Sequence, residues 1–200
     1  MDILLIRHGI SIMNASGAWA GDTDVPLAEE GREETRAVAP FFASLALEGV
    51  VTTDLARSIE TGAILAESLE IPVVGTVAAL RERNVGAWTG LDRHEIASRF
   101  QEEYERWRTG QSREIPHAEP WPVLTARTLA GIEHVRTQFE MISRLLVVTH
   151  AQVLSALCDH LGQPQIRHPN LSGHWVLAGP TGLRYLDRFN PGSLNGRSLV

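Results

Sequence analysis

The sequence predicts a layered α/β fold: a three-layer α/β/α sandwich with a mainly parallel central sheet. Three observations predict it. Ile3–Ile6 and Leu145–Thr149 are short, unbroken apolar runs, the habit of central parallel strands covered on both faces. Segments with helical apolar spacing fill the intervals, so strands and helices alternate along the chain. Both runs lead into chemistry-bearing residues, Arg7-His8-Gly9 after the first and His150 after the second. In layered α/β folds ligands bind outside the carboxyl ends of the parallel strands.

Each element follows in chain order. Ile3–Ile6 is the first strand. Residues 31–47 bury Val38, Phe41, Phe42 and Leu45, and Pro40 is expected to interrupt or restart that helix. Gly49–Thr53 is a third strand. Residues 57–69 bring Ile64, Leu65 and Leu69 to one helical face, and Val73-Val74 is a weaker strand. Residues 94–108 align Ile96, Phe100, Tyr104 and Trp107 as a helical stripe. Residues 109–123, rich in Pro, Gly and charge, read as a surface loop near the mouth of a site. Helices follow at 125–139 and 152–161, the latter with Val153, Leu154, Leu157 and Leu161 on one stripe. Trp175–Leu177 and Leu183–Leu186 are weaker strands. One domain over residues 1–200, with a substrate-cap insertion around 88–123, is the expected organisation.

Composition bounds the function. With 44% apolar and 21% charged residues, the chain has the make-up of a globular protein able to bury a core without staples. Its net charge of −6 argues against non-specific nucleic-acid binding, which needs a basic face. It does not exclude a local cationic pocket. Cys158 is the one cysteine, so no intrachain disulfide forms, which suits a reducing compartment. No basic-then-apolar leader and no run of membrane-spanning length is present, and a cytoplasmic location without membrane partners is expected.

The strand ends suggest the chemistry. The first carries Arg7 and His8, another carries His150, and "TDLARS" after the third places Arg57 at a helix start. Two arginines and two histidines make a trap for a dianion, because guanidinium forks match phosphoryl oxygens. A neutral imidazole there can attack phosphorus. One ring nitrogen attacks while an acceptor holds the other as N–H. The leaving oxygen needs a proton donor, best a carboxylic acid with a raised pKa.

With these residues in view, the chain resembles the histidine phosphatase superfamily, also called phosphoglycerate mutase-like. Arg7-His8-Gly9, extended by Ser11 and Asn14, is similar to its RHGxSxxN signature. "GDTDVPLAEEGREE" (21–34), "TDLARSIETG" (53–62), "LRERNVGAWTGL" (80–91) and "VVTHAQV" (147–153) resemble further family segments, in order, from residue 1 to about 160. The resemblance implies a phosphoglycerate mutase-like fold and a phosphatase-branch enzyme. It implies His8 as nucleophile, Glu82 as general acid and base, and Arg7, Asn14, Arg57 and His150 as phosphate-binding. Gly21 aligns with a residue whose backbone approaches substrate in relatives. No metal and no organic cofactor are implied. A small phosphorylated metabolite is the expected substrate. A mutase and a catalytically idle phospho-ligand binder are the alternatives, and a homodimer stays open.

Two departures stand out. Relatives usually have Gly where this chain has Ala151, and "HPNLSGHWV" matches the family's Asn-containing turn only loosely. The remaining histidines, His94, His117, His134, His160, His168 and His174, lack a metal-ligand spacing and are assigned to surface or turns, with His117 or His174 as candidates to touch substrate at the mouth. "DTD" (22–24) reads as a turn. Cys158 lacks the downstream Arg of a cysteine-phosphatase loop, since Pro164 stands there.

Overall fold

A computed structural model of the chain describes residues 1–191. β1 (Asp2–Arg7) leads through the short helix α1 (Ile12–Ala15) to α2 (Glu29–Ala43). Next come β2 (Gly49–Thr52), α3 (Ala56–Leu69) and β3 (Val73–Thr76). Two short helices, α4 (Arg93–Arg99) and α5 (Gln101–Arg108), precede the long α6 (Trp121–Gln138). β4 (Arg144–Thr149), α7 (Ala151–His160), β5 (Gly173–Gly179) and β6 (Gly182–Phe189) complete the order. The strands form one sheet ordered β3-β2-β4-β1-β5-β6. Its β3-β2-β4-β1 portion is parallel; β5 and β6 join antiparallel at one edge.

The strand pleat builds the layers. Successive side chains point to opposite faces, so unbroken apolar strands feed two cores. Ile3, Leu5, Leu145 and Val147 pack on one face with Ile132 and Val135 of α6 and Val153 and Leu157 of α7. Leu4, Ile6, Leu146 and Val148 pack on the other with Val38 and Phe42 of α2 and Leu65 of α3. The three-layer α/β/α expectation holds. A third cluster is separate: Val85, Trp88, Ile96 and Ile115 are buried against Trp19, Phe100, Tyr104 and Trp107.

Three local expectations need correction. α2 runs unbroken through Pro40 to Ala43. Proline removes one amide donor and crowds the preceding turn; placed in the last turn, Pro40 costs α2 that donor without breaking it. The helix expected over 94–108 is two helices. Phe100 adopts φ −136° and ψ 49° and parts α4 from α5. The stripe survives the break, since Ile96, Phe100, Tyr104 and Trp107 share the third cluster. The 109–123 loop is shorter than expected, because α6 begins at Trp121 with Pro122 in its first turn, a position that needs no amide donor. The unassigned C-terminal stretch 190–200 lies almost wholly outside the described residues.

Candidate active site

Strand adjacency brings the two predicted histidines together. β1 pairs with β4 in the register Arg7↔Thr149, and the His8 amide donates to the Thr149 carbonyl at 3.0 Å. One residue further along each strand stand His8 and His150, with ring centroids 5.1 Å apart. Both are buried. A separation of 142 positions in sequence thus closes to ring contact at one sheet edge.

The hydrogen bonds fix the tautomer of His8. Its Nδ1 lies 2.6 Å from the Gly9 carbonyl, which only accepts, so Nδ1 carries the proton. The Arg57 Nε–H donates to Nε2 at 3.1 Å, so Nε2 holds the lone pair. Burial, with Arg7 and Arg57 adding to it, drives the His8 pKa well below its ordinary value, and the ring is neutral. Gly9 permits close packing of this turn on α2: a Cβ there would lie 2.7 Å from Thr35 Oγ1 and 3.1 Å from the Gly31 carbonyl. Its amide is held by Thr61 of α3 at 3.0 Å.

Arg57 begins α3 and is almost fully buried. Its Nη1 donates to the Thr23 carbonyl and its Nη2 to the Gly21 carbonyl, each at 2.7 Å. Gly21 therefore meets the site by holding Arg57, and its φ of +52° suits a glycine. Asp24 caps the first α3 amide, at Ala56, at 2.7 Å. The "DTD" stretch is thus a turn that fastens this arginine's helix.

Two buried nitrogens of the strand-end residues lack a protein partner. Arg7 Nη1 donates to the His168 carbonyl at 2.9 Å, but its Nε is buried without a partner. His150 Nε2 lies 2.9 Å from Thr53 Oγ1, while its Nδ1 is buried without a partner. The Thr53 hydroxyl can donate or accept here; when it donates to Nε2, the His150 proton sits on Nδ1 and faces the unpartnered side. Burial, then His8 and the two arginines, push the His150 pKa well down, and burial lowers Arg7 to about 10. Buried donors without partners are costly. An acceptor-rich anion relieves that cost.

Glu82 completes the group. Its carboxylate accepts from the Arg83 amide at 2.9 Å and from the Gln152 amide in the first turn of α7 at 3.2 Å. Burial raises its pKa, opposed by those amides and by Arg57 and Arg7. Arg127 secures the segment: it pairs with Glu119 and donates to the carbonyls of Ala79, Arg81 and Glu82.

Asn14 is placed less directly than the sequence suggests. It closes a capping box with Ser11, and its Oδ1 accepts from Asn170 Nδ2 at 3.3 Å. Asn170 in turn donates to the His8 carbonyl at 2.8 Å. Asn170, Thr53, Arg127 and Gln152 were not anticipated. Asn170 had a signal in the loosely matching "HPN" turn; the others are ordinary residues whose role follows from packing. Ala151 occupies the first turn of α7 without a positive φ, so its methyl causes no backbone strain.

The surface-or-turn assignment fails for two histidines. His168 and His174 are buried, with pKa values lowered by burial to about 3 and about 4. His174 points inward because it pairs with Leu5 across the β1–β5 ladder. With Cys158 these two form the one group among the described residues that could hold a metal ion. His94, His117, His134 and His160 are exposed, as expected.

Comparison with known proteins agrees with this geometry. The family model for the histidine phosphatase superfamily (branch 1) matches residues 3–187. The 2,3-bisphosphoglycerate-dependent phosphoglycerate mutase 2 of Gloeobacter violaceus is 31% identical over 171 residues, 82% of this chain and 78% of its own. The metal-independent phosphoserine phosphatase of Arabidopsis thaliana is 31% identical over 78% of this chain and 66% of its own. A mycobacterial glucosyl-3-phosphoglycerate phosphatase superposes with a TM-score of 0.81 at 21% identity, covering 92% of this chain and 96% of that one.

Proposed function

The chain belongs to the histidine phosphatase superfamily (branch 1), and from that premise we propose that it is a phosphomonoesterase acting on a small phosphorylated metabolite through a phosphohistidine on His8. The observation that carries the reading is the pairing of a lone pair at His8 Nε2 with the buried, unpartnered nitrogens Arg7 Nε and His150 Nδ1. A nucleophile and acceptor-seeking donors are what phosphoryl transfer asks of a protein.

The steps follow from the contacts. The substrate's phosphoryl oxygens accept from Arg7, His150 and the Arg57 Nε–H, which leaves Nε2 free to attack. Arg57 keeps its Nη bonds to Gly21 and Thr23, so it changes one acceptor without losing its place. Nε2 forms a bond to phosphorus as the bond to the leaving oxygen breaks. The Gly9 carbonyl stabilises the positive charge that grows on the ring. Glu82, whose raised pKa favours the acid form, gives its proton to the leaving oxygen. The resulting carboxylate takes a proton from water, whose oxygen attacks phosphorus. The N–P bond breaks, its electron pair returns to Nε2, and phosphate departs. Asn14, tied to His8 through Asn170, steadies the transferred group from the α1 side.

We read residues 88–123, whose aromatic side chains pack against Trp19, as a partial cap, which favours a small molecule over a protein substrate. A phosphate-release screen over sugar phosphates, nucleotides and phospho-acids, with His8→Ala as control, tests the reading. Hydrolysis of at least one ester by the wild type alone supports it. Equal release by both proteins refutes the nucleophile assignment.

The second reading, a mutase, is favoured by the 31% identity to a phosphoglycerate mutase. The basic residues after the acid segment speak for the phosphatase. Arg83 is engaged with the Glu119 carbonyl and the Trp121 ring, and Arg93 and Arg99 are exposed. Incubation with 3-phosphoglycerate separates the two: isomer without free phosphate identifies a mutase.

A further inference from the structure

A second cluster lies on the β5 side of β1. Cys158 comes from α7, His168 from the connection after it, and His174 from β5. All three are buried, at 1%, 4% and 3% exposure. Cys158 Sγ lies 3.4 Å from His174 Nε2, and that atom lies 3.3 Å from His168 Nδ1. The three potential ligand atoms fall within 4.8 Å of one another. We propose that Cys158 Sγ, His168 Nδ1 and His174 Nε2 bind a soft divalent cation of the zinc class, with water as the fourth ligand, in a structural site distinct from the His8 pocket.

The two edges that meet at His174 Nε2 support this. Zinc–sulfur and zinc–nitrogen bonds at tetrahedral angles set N···N edges of about 3.3–3.4 Å and S···N edges of about 3.5–3.6 Å. Hydrogen bonding explains the convergence less well. A neutral His174 ring has one lone pair, and both Cys158 and His168 crowd its Nε2. His174 Nδ1 has Tyr185 Oη at 3.4 Å, so an Nδ1–H directed there leaves the Nε2 lone pair facing the cluster.

The nearby charges choose the ion. Arg188 acts on all three residues, Arg7 acts on His168, and Asp159 flanks Cys158. A cation held by neutral ligands alone would be repelled by the two arginines. Binding therefore takes the Cys158 thiolate: the thiol proton leaves to solvent as the metal–sulfur bond forms, with no change of oxidation state. Hard ions that prefer oxygen ligands are disfavoured by the same ligand set. The site would brace the neighbouring pocket. The His168 carbonyl holds Arg7, Asn170 holds the His8 carbonyl, and the Leu171 amide bonds the Arg7 carbonyl at 2.9 Å.

The test uses the full chain, stripped with a chelator and titrated with Co²⁺ and then Zn²⁺. The wild type is expected to bind one Co²⁺, with tetrahedral ligand-field bands and thiolate-to-cobalt charge transfer that Zn²⁺ abolishes, and to melt at a higher temperature with Zn²⁺. Cys158→Ala and, independently, His168→Gln lose the signal and the melting shift, each with affinity at least about tenfold lower. Their metal-free far-ultraviolet circular dichroism shows whether each variant folds; whichever folds is decisive. His8→Ala retains the signal, which separates this cluster from the His8–His150 pair. No uptake by the wild type overturns the proposal. So does uptake that survives Cys158→Ala or disappears in His8→Ala.

Discussion

Two histidine pairs in this molecule share ring separation, burial and lowered pKa values, and differ in what surrounds them. His8–His150 and His168–His174 each have ring centroids 5.1 Å apart, all four rings are buried, and burial lowers all four pKa values. The first pair sits at the ends of adjacent parallel strands, with Arg57 donating to one ring and unpartnered nitrogens on Arg7 and His150. The second faces a thiol and a tyrosine hydroxyl. Burial and a lowered pKa are thus shared by a phosphoryl-type pocket and a thiol-lined cluster. The neighbours decide the chemistry: guanidinium donors invite an anion, and a sulfur ligand invites a soft cation.

The largest expected effect breaks the symmetry between the pairs. His8→Ala lowers phosphate release by at least about 10⁴-fold, the scale of losing a nucleophile. His174→Asn, corrected for stability, keeps turnover within about tenfold, because its ring touches no reacting atom. Comparable losses in both, measured as initial phosphate release on folded protein, would erase the distinction.

Glu82→Gln comes next. Loss of a general acid costs roughly 10²–10⁴-fold in turnover. Burial raises the Glu82 pKa, and the first step needs the acid form. Wild-type turnover on a substrate with a poor leaving group therefore falls as pH rises through that pKa, and the variant's profile loses this alkaline limb. A variant that keeps the limb would assign the proton to another group.

Acid stability is the third test. His8 and His150 stay neutral in the fold, whereas the unfolded chain takes up protons below about 6.5. The unfolded state binds more protons there, so stability is greatest above that pH and is lost as pH falls. Each ring contributes roughly 1.4 kcal/mol per pH unit. Urea unfolding from pH 7.5 downward should show a shallower slope for His8→Asn than for wild type. An unchanged slope would mean the ring already charges within the fold.

Thr53→Val gives the smallest effect. It leaves the buried His150 Nε2 without a partner and should cost about 1–3 kcal/mol in stability. Rescue by Thr53→Ser distinguishes loss of the hydroxyl from loss of packing.

How far the sequence carried the fold follows from the same contrast. β1 and β4 were legible because both faces of each are buried, so no polar residue interrupts the run. Their adjacency depends on topology, which no local pattern carries, and with it comes the meeting of His8 and His150. Pro40 reads as a break but falls in the last turn of α2, where the helix loses one amide donor and stays continuous. The 94–108 segment was read as one helix because its apolar stripe continues across the Phe100 break. His168 and His174 read as surface or turn residues because no local spacing marks their burial. His174 turns inward only through pairing with Leu5, and Cys158 reaches it from a different layer. Arg127 and Thr53 were invisible for a related reason: each acts on a site residue through backbone or ring contacts that exist only after the chain has folded.

The decisive measurement is rapid acid-free quench of the enzyme during turnover of a ³²P-labelled phosphomonoester, followed by mapping of the labelled residue. An acid-labile phosphoramidate on His8, formed and consumed at rates that match turnover and missing from His8→Ala, is the expected result. Steady hydrolysis with no label on the protein, or label persisting in His8→Ala, would contradict the role given to that ring.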